Sequence, residues 1–258
     1  MSQPMNQPMN QPTSRPQPQR LAGRLALVTG ATRGIGRAVA IAYAREGAHP
    51  ILVGRTTGAL EEVDDEIRAL GGSATLLTLD LKRHDKVDAL GPTIYQRWQK
   101  LDILVGNAGV LGPLSPLGHV TAEAWDEVLE VNLTANWRLI RTLDPLLRRS
   151  DAGRAIFVSS GAAASTRAYW GPYSVSKAAL EALAKTWARE VENTGVRVNL
   201  VNPGPTRTGM RARAFPGEDP ASLKAPEDVA ETFVRLAEPS CTDNGRLFDL
   251  RPASADAR

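Results

Sequence analysis

The stretch Leu25–Ala40, LALVTGATRGIGRAVA, joins a strand pattern to a helix pattern through three glycines. Leu25 to Thr29 is a short apolar run of the length and composition of a strand buried on both faces. From Ile35 onward the apolar residues recur at helical spacing. Between the two, Gly30, Gly34 and Gly36 make a turn that opens directly into the helix. The free N–H groups and positive dipole end of a helix N-terminus favour an anion, and a side chain at Gly34 would hold a pyrophosphate away from them. This strand–turn–helix order points to a dinucleotide site; a plain tight turn is the alternative.

Outward from that stretch the same alternation repeats. Apolar, β-branched runs occur in LALVTG, PILVG, ATLLTLD, LDILVGNAG, RAIFVSS, VRVNLVNPG and RLFDL, which predicts seven strands. Helix-patterned segments lie between them, and those ending in Gly47, Gly72 and Gly195 carry a glycine at a plausible C-cap. Near-continuous apolarity requires a parallel sheet covered by helices on both faces, so the predicted class is α/β, doubly wound, in one domain over residues 21–258. Right-handed crossovers then put the ligand crevice at the carboxyl ends of the strands.

The first twenty residues, MSQPMNQPMNQPTSRPQPQR, offer almost nothing to bury and are rich in proline, so residues 1–20 are expected to form a disordered tail. Among 258 residues the formal charge is only +3 and the basic residues are interspersed with acids, which argues against nucleic acid. One cysteine, Cys241, and three scattered histidines, His49, His84 and His119, give neither a disulfide framework nor metal-ligand spacing. No apolar run approaches the ~18 residues of a membrane helix, and no secretory apolar segment opens the chain. A soluble cytoplasmic protein without membrane or nucleic-acid partners is expected.

The Gly30-x-x-x-Gly34-x-Gly36 spacing, the Asn107-Ala108-Gly109 triplet after the fourth strand, Asn132, Ser160 and the Tyr173-x-x-x-Lys177 pair come in an order that resembles the short-chain dehydrogenase/reductase family, from Leu21 to about Leu250. The resemblance implies a Rossmann-type domain, a nicotinamide cofactor, hydride transfer between an alcohol and a carbonyl, and a homotetramer or homodimer. One departure is visible: the family usually has Asn-Asn-Ala-Gly, and Gly106 stands in place of the first Asn.

Strand two ends in Arg55 where an NAD enzyme needs an acid for the ribose 2′-hydroxyl. With Arg33 in the glycine turn it provides two guanidiniums for a 2′-phosphate, so NADP(H) is the expected cofactor and NAD(H) the lesser alternative. Thr32 and Ile35 complete the turn, and Asp80 with Leu81 matches the family's adenine contact, although Asp80 also reads as a cap.

On a helix Tyr173 and Lys177 share one face. A free phenol, with a pKa near 10, is a sluggish acid at neutral pH, and an adjacent ammonium stabilises its phenolate. The resemblance assigns Tyr173 as general acid/base, Lys177 as its partner and a ribose ligand, Ser160 rather than Ser159 as donor to the substrate oxygen, and Asn132 as the residue of a distorted helix in a proton relay. It places Pro203, Gly204 and Thr208 at the nicotinamide end, with Thr208 equally readable as the N-cap of a following helix.

Tyr169 and Trp170 read as a substrate wall. Arg207, Arg211 and Arg213 read either as attractors of an acidic substrate group or as solvated loop charges. A small-molecule carbonyl or alcohol substrate follows from the resemblance. The alternatives are a 3-oxoacyl-acyl-carrier-protein reductase and, in another class, a non-catalytic NADP(H) sensor.

Overall fold

The computed structural model describes residues 19–252. Seven strands, β1 (Leu25–Thr29), β2 (His49–Gly54), β3 (Thr75–Thr78), β4 (Ile103–Gly106), β5 (Arg154–Val158), β6 (Arg197–Asn202) and β7 (Leu247–Asp249), form one sheet in the order β3-β2-β1-β4-β5-β6-β7. Every pairing is parallel. All seven runs picked from sequence are strands. Because the chain winds outward in opposite directions from β1 and from β4, a crevice opens between their carboxyl ends.

The helices are α1 (Gly34–Arg45), α2 (Thr57–Ala69), α3 (His84–Asp88), α4 (Leu90–Trp98), α5 (Ala122–Leu129), α6 (Ala135–Leu147), α7 (Ala162–Ser165), α8 (Gly171–Glu190), α9 (Gly209–Ala214) and α10 (Pro226–Ala237). Strand alternation sends Ala26, Val28, Leu52, Val105 and Ile156 to the face covered by α1, α2 and α10. Leu27, Ile51, Leu104, Phe157 and Leu200 go to the opposite face, under α4, α6 and α8. Each such Leu, Ile, Val or Phe contributes about 1.5–3 kcal/mol on burial, which is why both faces of a strand as short as β1 are apolar.

Two helices end as the glycine signal predicts. After α1 the chain turns at Gly47 with φ of 83°, and after α2 at Gly71 with φ of 81°, one residue before the expected Gly72. The third expectation is corrected. α8 stops at Glu190, well short of Gly195, because the Thr194 amide and hydroxyl both donate to the Val191 carbonyl, at 2.9 and 2.7 Å, and close a turn there.

The amino ends of the strands are tied by a buried carboxylate. Asp102 accepts from the Leu25 amide at 2.8 Å, the Ser150 hydroxyl at 2.5 Å and the Lys100 ammonium at 2.9 Å. The expected boundary of the packed chain also moves: Arg20 is bound to Glu46 and Glu231, each at 2.6 Å, so it belongs to the fold and not to the tail. The rest of the tail expectation, residues 1–18, lies outside the described residues, as does the domain's end beyond residue 252. Among the described residues no helix is long and apolar enough to cross a membrane.

Candidate active site

The glycine turn sits at the crevice between β1 and β4. Gly30 and Gly34 have φ of 64° and 55°, a region that costs a side-chain-bearing residue about 1–2 kcal/mol. A Cβ at Gly36 would collide with the Gly30 carbonyl and the Asn107 amide, so the helix can start this close to the strand only as glycine. Asn107 closes the crevice floor: its side-chain amide donates to the Thr29 carbonyl at 2.8 Å, and the Thr29 hydroxyl accepts from the amides of Asn107 and Ala108 at 3.0 and 3.1 Å. Sequence reading missed Thr29, whose hydroxyl is the hinge of this arrangement.

At the far end of the turn, Arg33 precedes α1 and Arg55 follows β2. Both are exposed, and among the described residues neither forms an ion pair. Thr32 packs against Gly54 beside Arg55, and Ile35 packs inward on the sheet. Asp80 accepts from the Lys82 amide at 3.0 Å, so it does cap the turn after β3, with Leu81 buried behind it. These residues fit a phosphorylated nicotinamide dinucleotide: the glycines leave a cradle with nothing but the Thr208 methyl facing Gly34, at 3.3 Å from where a Cβ would be, and two guanidiniums stand uncommitted at the ribose end.

Tyr173 and Lys177 both lie buried on α8. Burial raises the Tyr173 phenol, and a hydrogen bond with the Ser160 hydroxyl partly offsets that rise. Ser160 also accepts from the Ala162 amide at 3.2 Å. Ser159 faces elsewhere, donating to Glu181 at 2.6 Å, so of the two serines it is Ser160 that meets Tyr173. Lys177 donates to the Val158 carbonyl at 2.8 Å, and burial brings its pKa down to about 8. In this arrangement the contribution that lowers the phenol comes from the Ser160 hydroxyl, and the Lys177 ammonium lies 5.7 Å from the Tyr173 ring centroid.

Between α5 and α6 the helix widens into a π turn, Glu130–Thr134, with Asn132 fully buried within it. Such turns are rare and cluster at functional sites. The Asn132 side chain accepts from the Val110 amide at 2.8 Å and donates to the Val110 carbonyl at 2.9 Å and the Ser176 hydroxyl at 3.0 Å. Ser176 in turn donates to the Tyr173 carbonyl at 2.8 Å. A Cβ at Gly109 would lie 3.2 Å from Asn132 Oδ1 and 3.7 Å from Lys177 Nζ. Gly109, Asn132 and Lys177 therefore meet at one point.

The other side of Tyr173 is apolar, made by Leu111, Ala162, Trp170, Met210 and Ala214. Trp170 stands edge-on to Tyr173, centroids 6.0 Å apart, and 5.6 Å from Phe215, whose ring centroid lies 5.0 and 3.7 Å from the guanidiniums of Arg167 and Arg211. Trp170 thus belongs to the wall, whereas Tyr169 turns to solvent with φ of 72°. Arg211 is no attractor of substrate, because Glu218 holds it in a bidentate pair at 2.5 Å. Arg207 and Arg213 are exposed. Thr208 caps α9 by accepting from the Arg211 amide at 3.2 Å. Pro203 is buried, and Gly204, with φ of 67°, leaves room for the backbone of Arg251, 3.2 Å from where a Cβ would stand.

Comparison with known proteins accords with this geometry. The family model for short chain dehydrogenases matches residues 24–219. The chain is 40% identical to the Escherichia coli oxidoreductase YciK, itself uncharacterized, over 88% of this chain and 92% of the relative. A short chain dehydrogenase of Salmonella enterica superposes with a TM-score of 0.88 at 39% identity, covering 92% of this chain and 100% of the other. A further Escherichia coli structure, described as a short chain dehydrogenase complexed with NADPH, gives 0.86 at 40% identity over 91% and 99%. With its seven-stranded parallel sheet, glycine turn and Ser-Tyr-Lys constellation, this chain belongs to the short-chain dehydrogenase family of oxidoreductases.

Proposed function

We propose that this oxidoreductase interconverts a small-molecule carbonyl and a secondary alcohol using NADP(H), with Tyr173 as general acid/base. The observation that carries the reading is the convergence of the Ser160-bonded Tyr173 phenol, Lys177 and Asn132 beside the glycine turn. Gly30, Gly34, Gly36, Asn107 and Thr208 would line the cofactor, with Arg33 and Arg55 at its 2′-phosphate. When bound, the nicotinamide supplies or accepts the hydride.

In carbonyl reduction the Ser160 hydroxyl donates to the substrate oxygen and holds it within reach of the phenol. Tyr173 gives its proton to that oxygen as negative charge develops, a contribution of about 10²–10⁴-fold for a positioned acid. The apolar wall from Leu111 to Ala214 excludes water from this transfer. Lys177 supports the resulting phenolate, and its lowered pKa suits it to pass a proton toward the Asn132 turn. In alcohol oxidation each step reverses. Exposed Trp137 on α6 and Val175 on α8 favour assembly through these helices into a dimer or tetramer.

A panel of ketones, aldehydes and secondary alcohols, followed by NADPH absorbance, tests the reading. The enzyme turns over at least one class and prefers NADPH to NADH. Tight NADPH binding with no turnover across the panel would support the sensor instead.

A further inference from the structure

We propose that Asn136 is a positioning residue for the reaction, fixing the main chain of Asn132 inside the π turn, and that Gly106 is glycine to make room for it. The inference rests on the assignment of Asn132 to the reacting centre.

Asn136 is buried on the first turn of α6, and its side-chain amide donates to the Asn132 carbonyl at 2.8 Å. A π turn lengthens the hydrogen-bond spacing from four residues to five, here with the Ala135 amide reaching back to the Glu130 carbonyl. Such a turn competes with the ordinary helix, so a side-chain donor bonded to one of its carbonyls is an extra fixed point. What it fixes is consequential. The Asn132 side chain makes three hydrogen bonds, two to Val110 and one to Ser176, which in turn touches the Tyr173 carbonyl. Relaxation of the turn would rotate Asn132 away from all three and from Lys177.

The partner of this device is on β4. A Cβ at Gly106 would collide with the Phe157 ring and lie 2.5 Å from Asn136 Oδ1. The Asn that the family resemblance leads one to expect at position 106 would push the Asn136 amide off the Asn132 carbonyl. Gly106 thus leaves a space that Asn136 shares with the Phe157 ring, and the departure seen in the sequence goes with both. Burying a polar amide is costly unless it is hydrogen-bonded, so a role in packing alone would favour an apolar residue at 136.

The test compares Asn136→Val with Asn136→Thr, side chains of nearly equal shape. A threonine hydroxyl on a helix donates to the carbonyl four residues back, which at this position is Asn132. Two readouts are taken: exchange of the Val110 amide by NMR in protein without ligand, and kcat with NADPH and the activated diketone benzil, or with the best carbonyl from the panel. The Val variant exchanges Val110 about tenfold faster and loses about tenfold in kcat, with NADPH affinity within about twofold of wild type. The Thr variant stays within about threefold of wild type in both. Equal behaviour of Val and Thr would overturn the proposal. Should the wild type reduce no carbonyl, the functional assignment fails, while the exchange contrast still decides whether Asn136 holds the turn. If the Val variant does not fold, Asn136→Ala against Asn136→Ser carries the same contrast.

Discussion

The Lys177 ammonium lies 5.7 Å from the centroid of the Tyr173 ring, while its hydrogen bond goes to the Val158 carbonyl at 2.8 Å. The two groups therefore face a common buried gap in which every charge is expensive. Burial raises the phenol and lowers the ammonium, so both are biased toward their neutral forms.

That bias has a stability consequence with a definite sign. Lys177 titrates at about 8 in the folded chain against an ordinary value of 10.5, so between these values the unfolded chain holds more protons and stability rises with pH. Below about pH 8 the folded state bears the full cost of a buried cation. Lys177→Met should therefore stabilise the protein by on the order of 2 kcal/mol at neutral pH, after allowance for the lost Val158 bond, and abolish activity. The gain should shrink as pH rises toward 10.5. Urea unfolding at neutral and alkaline pH measures it; a Met variant less stable than wild type at neutral pH would contradict the account.

Asp102 gives the opposite slope at the acidic end. Burial alone would raise its pKa, but hydrogen bonds from Ser150, the Leu25 amide and Lys100 outweigh burial and hold it below the ordinary 3.8. Its contribution is present above that value and is lost as pH falls through the lowered one. Asp102→Ala, which leaves the Leu25 amide without its acceptor and Ser150 with only the 3.2 Å contact to Asp151, should cost about 3 kcal/mol and flatten the acid limb of a stability–pH curve. An unchanged acid limb in the variant would remove Asp102 as its cause.

On the proposed reading, cofactor choice rests with Arg33 and Arg55. A hydrogen bond to a charged group contributes about 1.5–3 kcal/mol, so Arg33→Ala or Arg55→Ala should each weaken NADPH binding about tenfold or more and leave NADH nearly unchanged. Isothermal titration with both nucleotides reads this directly. Equal losses for NADPH and NADH would mean that the arginines do not reach a 2′-phosphate.

Much of this was legible before any coordinates. Strand runs such as Leu25–Thr29 are apolar on both faces because both faces are covered, and a signal of that kind survives in one dimension. The glycine turn and the Tyr173–Lys177 pair are likewise local spacings. What stayed hidden depends on contacts between distant segments. Phe215 reaches Trp170 and Arg167 from 45 or more residues away, and even Glu218, seven residues from Arg211, meets it only because the chain turns back at Phe215 after α9. Asn136 was within reach: a second Asn four residues after Asn132, on an otherwise apolar helix face, is a legible anomaly once Gly106 is noticed. The stop of α8 before Gly195 was not, since it rests on one threonine's hydrogen bonds.

The central claim is that Tyr173 delivers the proton. Tyr173→Phe removes one oxygen from a buried ring whose packing against Trp170 and Leu111 remains. Measured side by side, NADPH affinity of the variant should stay within about threefold of wild type while kcat for carbonyl reduction falls by about 10²–10⁴-fold. A variant that binds NADPH normally and reduces the carbonyl at the wild-type rate would contradict the account.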